Sequence, residues 1–205
     1  MKLYFAKRTV SIAVAIGLQE SGLDWTAQRV DFGSAEQTKP EFRAINPKAR
    51  VPALQLSDGT VLTETGALLD YIAACAPQKG LVPSDPEPAA HVRSVMYYLA
   101  STMHVNHAHR GRGTRWADQA SSHEDMAAKV PQTMAASAAY VEDECLRGTY
   151  VLGETFSIAD AYLFVVCSWL EGDGVPLDGL PGITAFMKAM DARDSVKFCR
   201  AEDML

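Results

Sequence analysis

The spacing of apolar residues changes along the chain and divides it into two parts. The first part mixes short strand patterns with helical ones, and the second part is helical throughout. Strands are predicted over residues 2–5 and 26–32, and a helix over residues 11–21 lies between them. A strand–helix–strand unit closes by a right-handed crossover, so the two strands should be parallel neighbours in one sheet.

A hairpin followed by a helix is predicted after residue 46. Two short strand patterns, 51–56 and 60–63, flank an Asp-Gly pair, which favours a tight hairpin turn. The first of these strands has a proline at its start, where no ladder N–H is needed. A helix is then expected from about Glu64 to Ala74, because apolar residues recur there with helical spacing.

Residues 77–88 predict a linker, because four prolines and one glycine fall among these twelve residues. The order of strands and helices before it is that of a thioredoxin-like fold that lacks the redox C-x-x-C motif. Only helices are predicted after it, the last over residues 180–193 with no more than a short turn beyond. We therefore predict an α/β thioredoxin-like N-terminal domain at 1–76 and an all-α C-terminal domain at 89–205.

The helices of the second part are predicted from their caps and breaks. The first should run over residues 89–109 and the second over 122–146, where Pro131 should kink or split it. Ser157 and Asp160 have the spacing of a capping box, in which each residue bonds the backbone of the other. Apolar residues surround the helix that follows, so this helix should be buried centrally.

Composition narrows the class of function. The 205 residues are 48% hydrophobic and 21% charged, and the formal net charge is −6. This acidic balance argues against a general nucleic-acid binder and against a binder of anionic membranes. No apolar run is long enough to span a bilayer, and the chain opens on a strand pattern instead of a targeting segment. We therefore expect a globular cytoplasmic protein with no nucleic-acid or membrane partner.

The four cysteines stand singly, as Cys75, Cys145, Cys167 and Cys199. They form no C-x-x-C pair and no metal motif, and free thiols fit the reducing cytosol. His104 and His107 are three residues apart on one predicted helix, a spacing that suits a metal ion, but no carboxylate or cysteine completes a ligand set. We therefore predict no metal site.

Two groups of motifs carry a family resemblance. The first group lies over residues 51–72 and consists of V-P-A-L, D-G and T-E-T-G-A-L-L-D-Y-I, in that order. The second is S-I-A-D-A-Y, which begins at Ser157. The first group resembles the glutathione-binding half of the cytosolic glutathione transferases, especially the bacterial beta-class-like branch. The second is similar to the capping box of that family's helical domain. The resemblance covers essentially the whole chain, and it implies glutathione as co-substrate, a small electrophilic substrate and a homodimer.

The resemblance also implies how glutathione is held. The Val51–Pro52 peptide bond would be cis, and Val51 would pair through its backbone with the cysteinyl part of the tripeptide. Glu64 and Thr65 would hold the γ-glutamyl end. The complete predicted glutathione-binding set is Val51, Pro52, Glu64, Thr65, Ser101 and Lys48.

Ser11 and His104 are the predicted catalytic residues. A free thiol is mostly protonated at neutral pH, so a hydrogen-bond donor or a helix N-terminus has to stabilise the thiolate. Ser11 lies where the first strand has passed into the first helix, which is where such a donor belongs. Serine is also a good N-cap, and this alternative stays open. His104 matches a position that contributes to the active-site cleft in beta-class relatives.

The predicted substrate cleft draws on residues of both domains. Residues 101–116 hold three histidines and three arginines, which either form a solvated basic helix end or favour an anionic co-substrate or the carboxylates of glutathione. Tyr4 is the weaker candidate, because a tyrosine in a strand more often packs in the core. The predicted cleft residues are Tyr4, Val10, His107, Arg110, Arg112 and Arg115.

Two positions depart from the family pattern. Beta-class relatives carry a cysteine directly before the serine, and this chain has Val10, so no mixed disulfide with glutathione forms there. A basic residue in the loop after the second strand is not evident, because residues 34–37 are S-A-E-Q. The main hypothesis is a glutathione S-transferase that conjugates or reduces electrophilic or peroxidic molecules. The alternative is a non-catalytic binding or protein-interaction module. A thiol–disulfide oxidoreductase is disfavoured, because it needs the missing thiol.

Overall fold

Four strands form one mixed sheet in the computed structural model, which describes all residues from 1 to 205. In chain order they are β1 (Lys2–Phe5), β2 (Thr26–Arg29), β3 (Ala53–Gln55) and β4 (Val61–Thr63). The order within the sheet is β2-β1-β3-β4, with β2 parallel to β1 and the other neighbours antiparallel. The predicted parallel pair and the predicted hairpin are both confirmed.

Three of the four strands are shorter than predicted, and β1 has the predicted bounds. β2 ends at Arg29 and not at residue 32, because the chain turns at Asp31, whose side chain accepts a hydrogen bond from the Gly33 N–H at 2.9 Å. β3 occupies only the middle of its predicted range, and β4 begins one residue later than predicted. At the end of β2, a polar side chain that bonds the local backbone thus ends the ladder before the apolar pattern ends.

Nine α-helices complete the fold. In chain order they are α1 (Ser11–Ser21), α2 (Pro40–Ile45), α3 (Thr65–Cys75), α4 (Pro86–Tyr98), α5 (His104–Ala108), α6 (Ala120–Tyr140), α7 (Ile158–Cys167), α8 (Pro181–Asp191) and α9 (Asp194–Ala201). A π-helical turn over Leu99–Met103 joins α4 to α5, and a second one over Val141–Cys145 extends α6. α6 includes Pro131 and is not split by it, whereas α4 begins inside the predicted linker at Pro86. A proline suits that first turn, because its fixed φ is already helical.

Contacts divide the chain into two compact units, residues 1–89 with 191–205 and residues 90–190. The predicted boundaries, 1–76 and 89–205 around a linker at 77–88, assign the C-terminal segment to the helical domain instead. The difference arises because α9 is a full helix, not a short turn, and it packs on α1 within the first unit. Its Phe198 ring meets the Trp25 ring edge to face, with centroids 5.9 Å apart.

A half-buried carboxylate, that of Glu20, fastens the start of α9 to α1. Glu20 accepts hydrogen bonds from Arg193 Nε at 2.7 Å, from Arg193 Nη2 at 2.8 Å and from the Ser195 hydroxyl at 2.5 Å. Burial alone would raise the pKa of the Glu20 carboxyl, but the bonds from Arg193 and Ser195 outweigh it and lower the pKa below its ordinary value of 4.5. This carboxylate therefore stabilises the folded state at neutral pH.

Glu20→Gln should reveal this contribution as a pH-dependent loss of stability. We expect the substitution to lower the free energy of unfolding by about 1.5–3 kcal/mol at neutral pH, the range for a hydrogen bond to a charged group. Because the folded pKa is the lower one, the difference between the two proteins should shrink as the pH falls below 4.5. Urea unfolding at several pH values measures it, with the exposed Glu124→Gln as control. A difference that does not change with pH would contradict this origin.

The centre of the second unit is α7. All ten of its residues, Ile158–Cys167, are buried, and Ser157 and Asp160 form the predicted capping box at its start. The buried cysteines behave as apolar groups, because burial raises the pKa of Cys145 to about 11 and that of Cys199 to about 12. Burial also raises the pKa of the Cys167 thiol. Thiolate chemistry is therefore not expected at these three positions.

Candidate functional site

The loop between β1 and α1 holds a compact group of hydroxyls. The Ser11 hydroxyl oxygen accepts the Ala6 N–H at 3.2 Å and lies 2.7 Å from the Thr9 hydroxyl oxygen. Thr9 in turn donates to the Ala6 carbonyl at 2.8 Å. Val10 takes the N-cap position of α1 without a side-chain cap bond, so the N-cap alternative for Ser11 is wrong. Ser11 is the first helical residue, and its side chain bonds the preceding loop.

The exposure of this group differs from residue to residue. Ser11 is 0% exposed and Val10 is 6% exposed, whereas Thr9 is half-buried. The backbone N–H of Val10 has no hydrogen-bond partner in the protein. It belongs to the first turn of α1, where the helix dipole favours an anion. The loop therefore offers a thiolate two hydroxyls and one free N–H at the start of a helix.

The chain around Pro52 has the geometry that the resemblance implies. The Val51–Pro52 peptide bond is cis, which confirms the prediction. The backbone N–H and C=O of Val51 make no hydrogen bond with the rest of the protein. In the antiparallel β3–β4 pair Ala53 lies opposite Thr63, so Val51 and Thr65 lie at the same end of that pair. An extended peptide can bond the backbone of Val51 there.

Glu64 joins β4 to α3 in a strained conformation. Its φ is 75° and its ψ is 118°, values that a residue with a side chain seldom adopts and that cost about 1–3 kcal/mol where they occur. Lys48 Nζ contacts the Glu64 carboxylate and lies 2.6 Å from the Thr63 hydroxyl. Thr65 begins α3 and is buried. A side chain added at Gly66 would meet no atom within 4 Å, so there is space beside the first turn of α3, and a helix N-terminus favours an anion.

Tyr4 lies in the core of the first unit. It packs with Val30, Phe42 and Ala53, and its ring meets that of Phe42 edge to face at 6.1 Å. Its hydroxyl donates to Gln55 Oε1 at 3.1 Å. The packing therefore gives no support to the predicted place of Tyr4 in the substrate cleft, and the structure favours the core role that a strand tyrosine usually has.

The second unit groups the histidines of α5 around one tryptophan. The His107 ring stacks on Trp169, with centroids 4.1 Å apart, and the His104 ring tilts against the same indole at 5.1 Å. His104 Nδ1 also lies 3.3 Å from the Tyr162 hydroxyl. The π-helical turn directly before α5 is a feature that often accompanies functional sites.

A buried carboxylate holds two of the predicted cleft residues. Asp173 accepts a hydrogen bond from His107 Nδ1 at 2.6 Å and one from Arg110 Nη1 at 3.2 Å. Its own side chain is 0% exposed. Asp173 thus anchors His107 and Arg110, whose side chains remain 28% and 55% exposed, and their predicted place in the substrate cleft stays a prediction. Arg112 and Arg115 are exposed, and their predicted role in the cleft stays a prediction.

The remaining predicted residues are placed as follows. Ser101 is exposed on the π-helical turn and lies 3.3 Å from the Thr102 hydroxyl. No set of three His, Cys, Asp or Glu side chains is arranged to hold a metal ion. The helices include none that combines the length and hydropathy of a membrane span. The predicted catalytic and glutathione-binding residues are divided between the two units. The second unit contains Ser101 and His104, and the first contains Ser11, Val51, Pro52, Glu64, Thr65 and Lys48.

Sequence reasoning missed Thr9, Trp169 and Asp173. Thr9 stands two residues before Ser11, and a hydroxyl at that distance is the only signal that the sequence carries for it. Asp173 lies in the turn E-G-D-G, where an aspartate usually has a local role. Its bonds to His107 and Arg110 span more than sixty residues of chain, and no local pattern reveals them.

Comparison with known proteins agrees with this geometry. The family model of the glutathione S-transferase N-terminal domain matches residues 9–75, and that of the C-terminal domain matches residues 123–189. The chain is 32% identical over 199 residues to glutathione S-transferase GstA of Escherichia coli O157:H7, covering 96% of each protein. It is 31% identical over 189 residues to maleylacetoacetate isomerase of Pseudomonas aeruginosa, covering 89% of this chain and 87% of that one.

A solved structure is similar over the full length. It is a glutathione transferase homologue from Sulfitobacter with bound glutathione, 63% identical, with a TM-score of 0.98 over 100% of this chain and 98% of the other. The mixed sheet and the helices that follow confirm the predicted fold class, an α/β thioredoxin-like domain plus an all-α domain. The chain belongs to the glutathione S-transferase family.

Proposed function

We propose that this protein is a glutathione transferase, in which the glutathione thiolate attacks a small electrophilic or peroxidic molecule. The observation that carries the proposal is the free backbone of Val51 at the same end of the β3–β4 pair as the first turn of α3. Together they suit a tripeptide that needs backbone pairing in its middle and a partner for its γ-glutamyl carboxylate.

The γ-glutamyl end also carries an ammonium group, which requires a carboxylate. Glu64 supplies one, and its side chain is 68% exposed, so a ligand can reach it. Lys48 contacts the same carboxylate and keeps it oriented, and it offers a positive charge to a second carboxylate of the ligand. The strain at Glu64 is of the kind that persists where function requires it.

The thiol has to lose its proton before it attacks. A free thiol has a pKa of about 8.5, and donors that bind the thiolate lower it. Ser11 is the proposed donor, with Thr9 and the free N–H of Val10 in the same loop. The proton leaves to solvent or to a carboxylate of glutathione, because a hydroxyl donates but does not keep it. The chemical step then depends on proximity and on stabilisation of the developing charge.

Several finer assignments stay predictions. They are a catalytic role for His104, glutathione contacts of Ser101, a homodimer, a cytoplasmic location and the identity of the electrophile. A non-catalytic glutathione-binding module is the second candidate function, and one observation favours it. Ser11 is 0% exposed, and its hydroxyl already has partners within the loop. The two functions differ in turnover and not in binding.

Retention on immobilised glutathione combined with two activity assays tests the proposal. We expect the protein to bind the resin, to elute with free glutathione, and to conjugate an aryl halide or reduce an organic hydroperoxide. Binding without turnover on either substrate would support the non-catalytic module. Failure to bind glutathione would overturn both candidates.

Glu64→Gln should raise the KM for glutathione and leave the KM for the electrophile nearly unchanged. The substitution removes one charge-assisted contact with the ligand ammonium, which is worth about 1.5–3 kcal/mol, or on the order of ten- to a hundredfold. Glu41→Gln, an exposed glutamate in the first turn of α2, is the matched control. Steady-state kinetics with each substrate varied measures the effect. An unchanged glutathione KM would place the ligand elsewhere.

A further inference from the structure

The last four residues of the chain, 202–205, contact the loop that precedes Ser11, and we name them the C-terminal brace. The Arg8 N–H donates to the Met204 carbonyl at 2.9 Å. Lys7 forms an ion pair with Asp203. The bond between Arg8 and Met204 is the only main-chain hydrogen bond that joins residues 7–10 to a segment outside the loop and α1.

The brace is itself firmly anchored. The Met204 side chain is 2% exposed, and its N–H donates to the Cys199 carbonyl at 2.9 Å. The Glu202 N–H donates to the Phe198 carbonyl, also at 2.9 Å. These bonds continue the end of α9, so the brace moves only if α9 moves or frays.

α9 is in turn fixed to the helix that Ser11 begins. Arg193 and Ser195 bond Glu20 on α1, and Phe198 packs against Trp25. Contacts therefore link the loop to the brace, the brace to α9, and α9 to α1. The helix α1 begins at the loop that holds the two hydroxyls. One end of α1 carries the proposed thiolate donor, and the other end holds the helix that supports the loop.

The loop needs such support because its backbone is not relaxed. Arg8 has a φ of 55°, a left-handed value that is uncommon for a residue with a side chain. Its N–H reaches Met204 in this conformation. Without that acceptor the loop has only the exposed ion pair of Lys7 with Asp203 and its own hydroxyl bonds, between Thr9, Ser11 and Ala6, to keep its shape.

We propose that the C-terminal brace positions the thiol-stabilising loop, so that the last residues of the chain act on catalysis without contacting the substrate. This inference rests on the proposed transferase function. Lys7 and Asp203 contribute less than the backbone bond, because the Asp203 side chain is 77% exposed and exposed ion pairs are weak. The buried Met204 and its carbonyl are the central part of the brace.

A chain that ends at Ala201 tests the proposal. We expect its kcat for conjugation to fall about tenfold, between the effect of one lost hydrogen bond and that of a misplaced catalytic group. The pKa of the bound glutathione thiol, measured by ultraviolet titration of the thiolate, should rise. The Kd for glutathione should change less than about threefold, because Val51, Glu64 and Thr65 are untouched.

Two further variants make the result decisive. Met204→Ala keeps the carbonyl but removes its buried anchor. It should therefore also lower kcat and raise the thiol pKa, and it serves as the test if the truncated chain does not fold. Lys197→Gln removes an exposed ion pair with Asp194 on α9, away from the loop, and should shift neither. Unchanged kcat and thiol pKa in a folded truncated chain, or in Met204→Ala where truncation prevents folding, would overturn the proposal. A fall in active fraction with an unchanged thiol pKa would also overturn it, because that is the result of a purely structural role.

The wild-type protein separates this proposal from the one on which it rests. If it binds no glutathione, or forms no thiolate, the proposed function fails whatever the variants do. If it forms the thiolate and the truncated chain forms it equally well, only the positioning role of the brace fails.

Discussion

Replacing Ser11 by alanine is expected to lower kcat for glutathione conjugation by about two to three orders of magnitude, the range for one lost donor to a developing anion. Glutathione should still bind, because Val51, Glu64 and Thr65, the residues proposed to hold the rest of the tripeptide, are unchanged. The pKa of the bound thiol should rise, so the curve of rate against pH should move to higher pH.

The two hydroxyls of the loop, those of Thr9 and Ser11, can supply a proton for this role. Thr9 and Ser11 carry two hydroxyl protons, and the Ala6 carbonyl lies within hydrogen-bond distance of both oxygens, at 2.8 and 3.2 Å. When Thr9 donates to this carbonyl, the Ser11 proton lies in the 2.7 Å contact with the Thr9 oxygen. That proton can turn to a thiolate and leave the carbonyl bonded, because the Thr9 oxygen also accepts the Ser11 N–H at 3.4 Å. The Ala6 N–H stays bonded to the Ser11 oxygen throughout.

Thr9→Val is the matched control, because it removes the neighbouring hydroxyl and keeps the shape of the side chain. We expect kcat to fall by about tenfold or less. Without the Thr9 hydroxyl, the Ser11 hydroxyl donates to the Ala6 carbonyl part of the time and to the thiolate the rest of the time. Ultraviolet titration of bound glutathione compares the thiol pKa in the three proteins. A larger effect at Thr9 than at Ser11 would transfer the donor role to Thr9. Equal thiol pKa values in all three would leave the Val10 N–H and the helix dipole as the source of stabilisation.

Asp160→Ala is expected to have the largest effect on stability. Asp160 is 0% exposed, and it accepts the Ser157 N–H at 2.7 Å, the Ser157 hydroxyl at 2.9 Å and the Val151 N–H at 2.8 Å. The capping box alone predicts a loss of about 0.5–2 kcal/mol. The bond to Val151 adds a second buried donor that alanine leaves unpaired, so we expect a total of about 3–4 kcal/mol.

Urea unfolding measures this loss, with Ser157→Ala as the matched variant. Ser157→Ala removes the cap hydroxyl but keeps both backbone donors paired with Asp160, so it should cost about 0.5–2 kcal/mol. The Kd for glutathione of folded Asp160→Ala should be close to that of wild type. A weaker affinity with unchanged stability would show instead that Asp160 serves a binding site.

Local patterns predicted most of the first unit. The Asp-Gly turn, the strand periods and the position of the crossover helix predicted the β1–β2 and β3–β4 pairs, because each depends on residues close together in the chain. The capping box before α7 was predicted for the same reason, since its two partners are three residues apart. The prediction of a linker up to residue 88 was wrong at its end, because α4 begins at Pro86. Proline is common in the first turn of a helix as well as in linkers.

The predicted glutathione-binding residues came from the resemblance and not from periodicity. Val51, Pro52, Glu64 and Thr65 stand close together in sequence, and the hairpin between them brings Val51 and Thr65 to one end of the β3–β4 pair. The positive φ of Glu64 has no sequence signal, because glycine or asparagine is the usual residue in such a conformation.

The sequence by itself therefore determined the order of elements, the cap of the central helix and the motif for the tripeptide, all of which depend on short-range geometry. Only the tertiary structure decided the partners of buried polar groups. It joined Asp173 to His107 and Arg110, Glu20 to Arg193, and the chain end to the loop before Ser11. A buried charge has to find a hydrogen-bond partner, but which distant residue supplies it depends on how the helices pack, and periodicity shows only that a face is apolar.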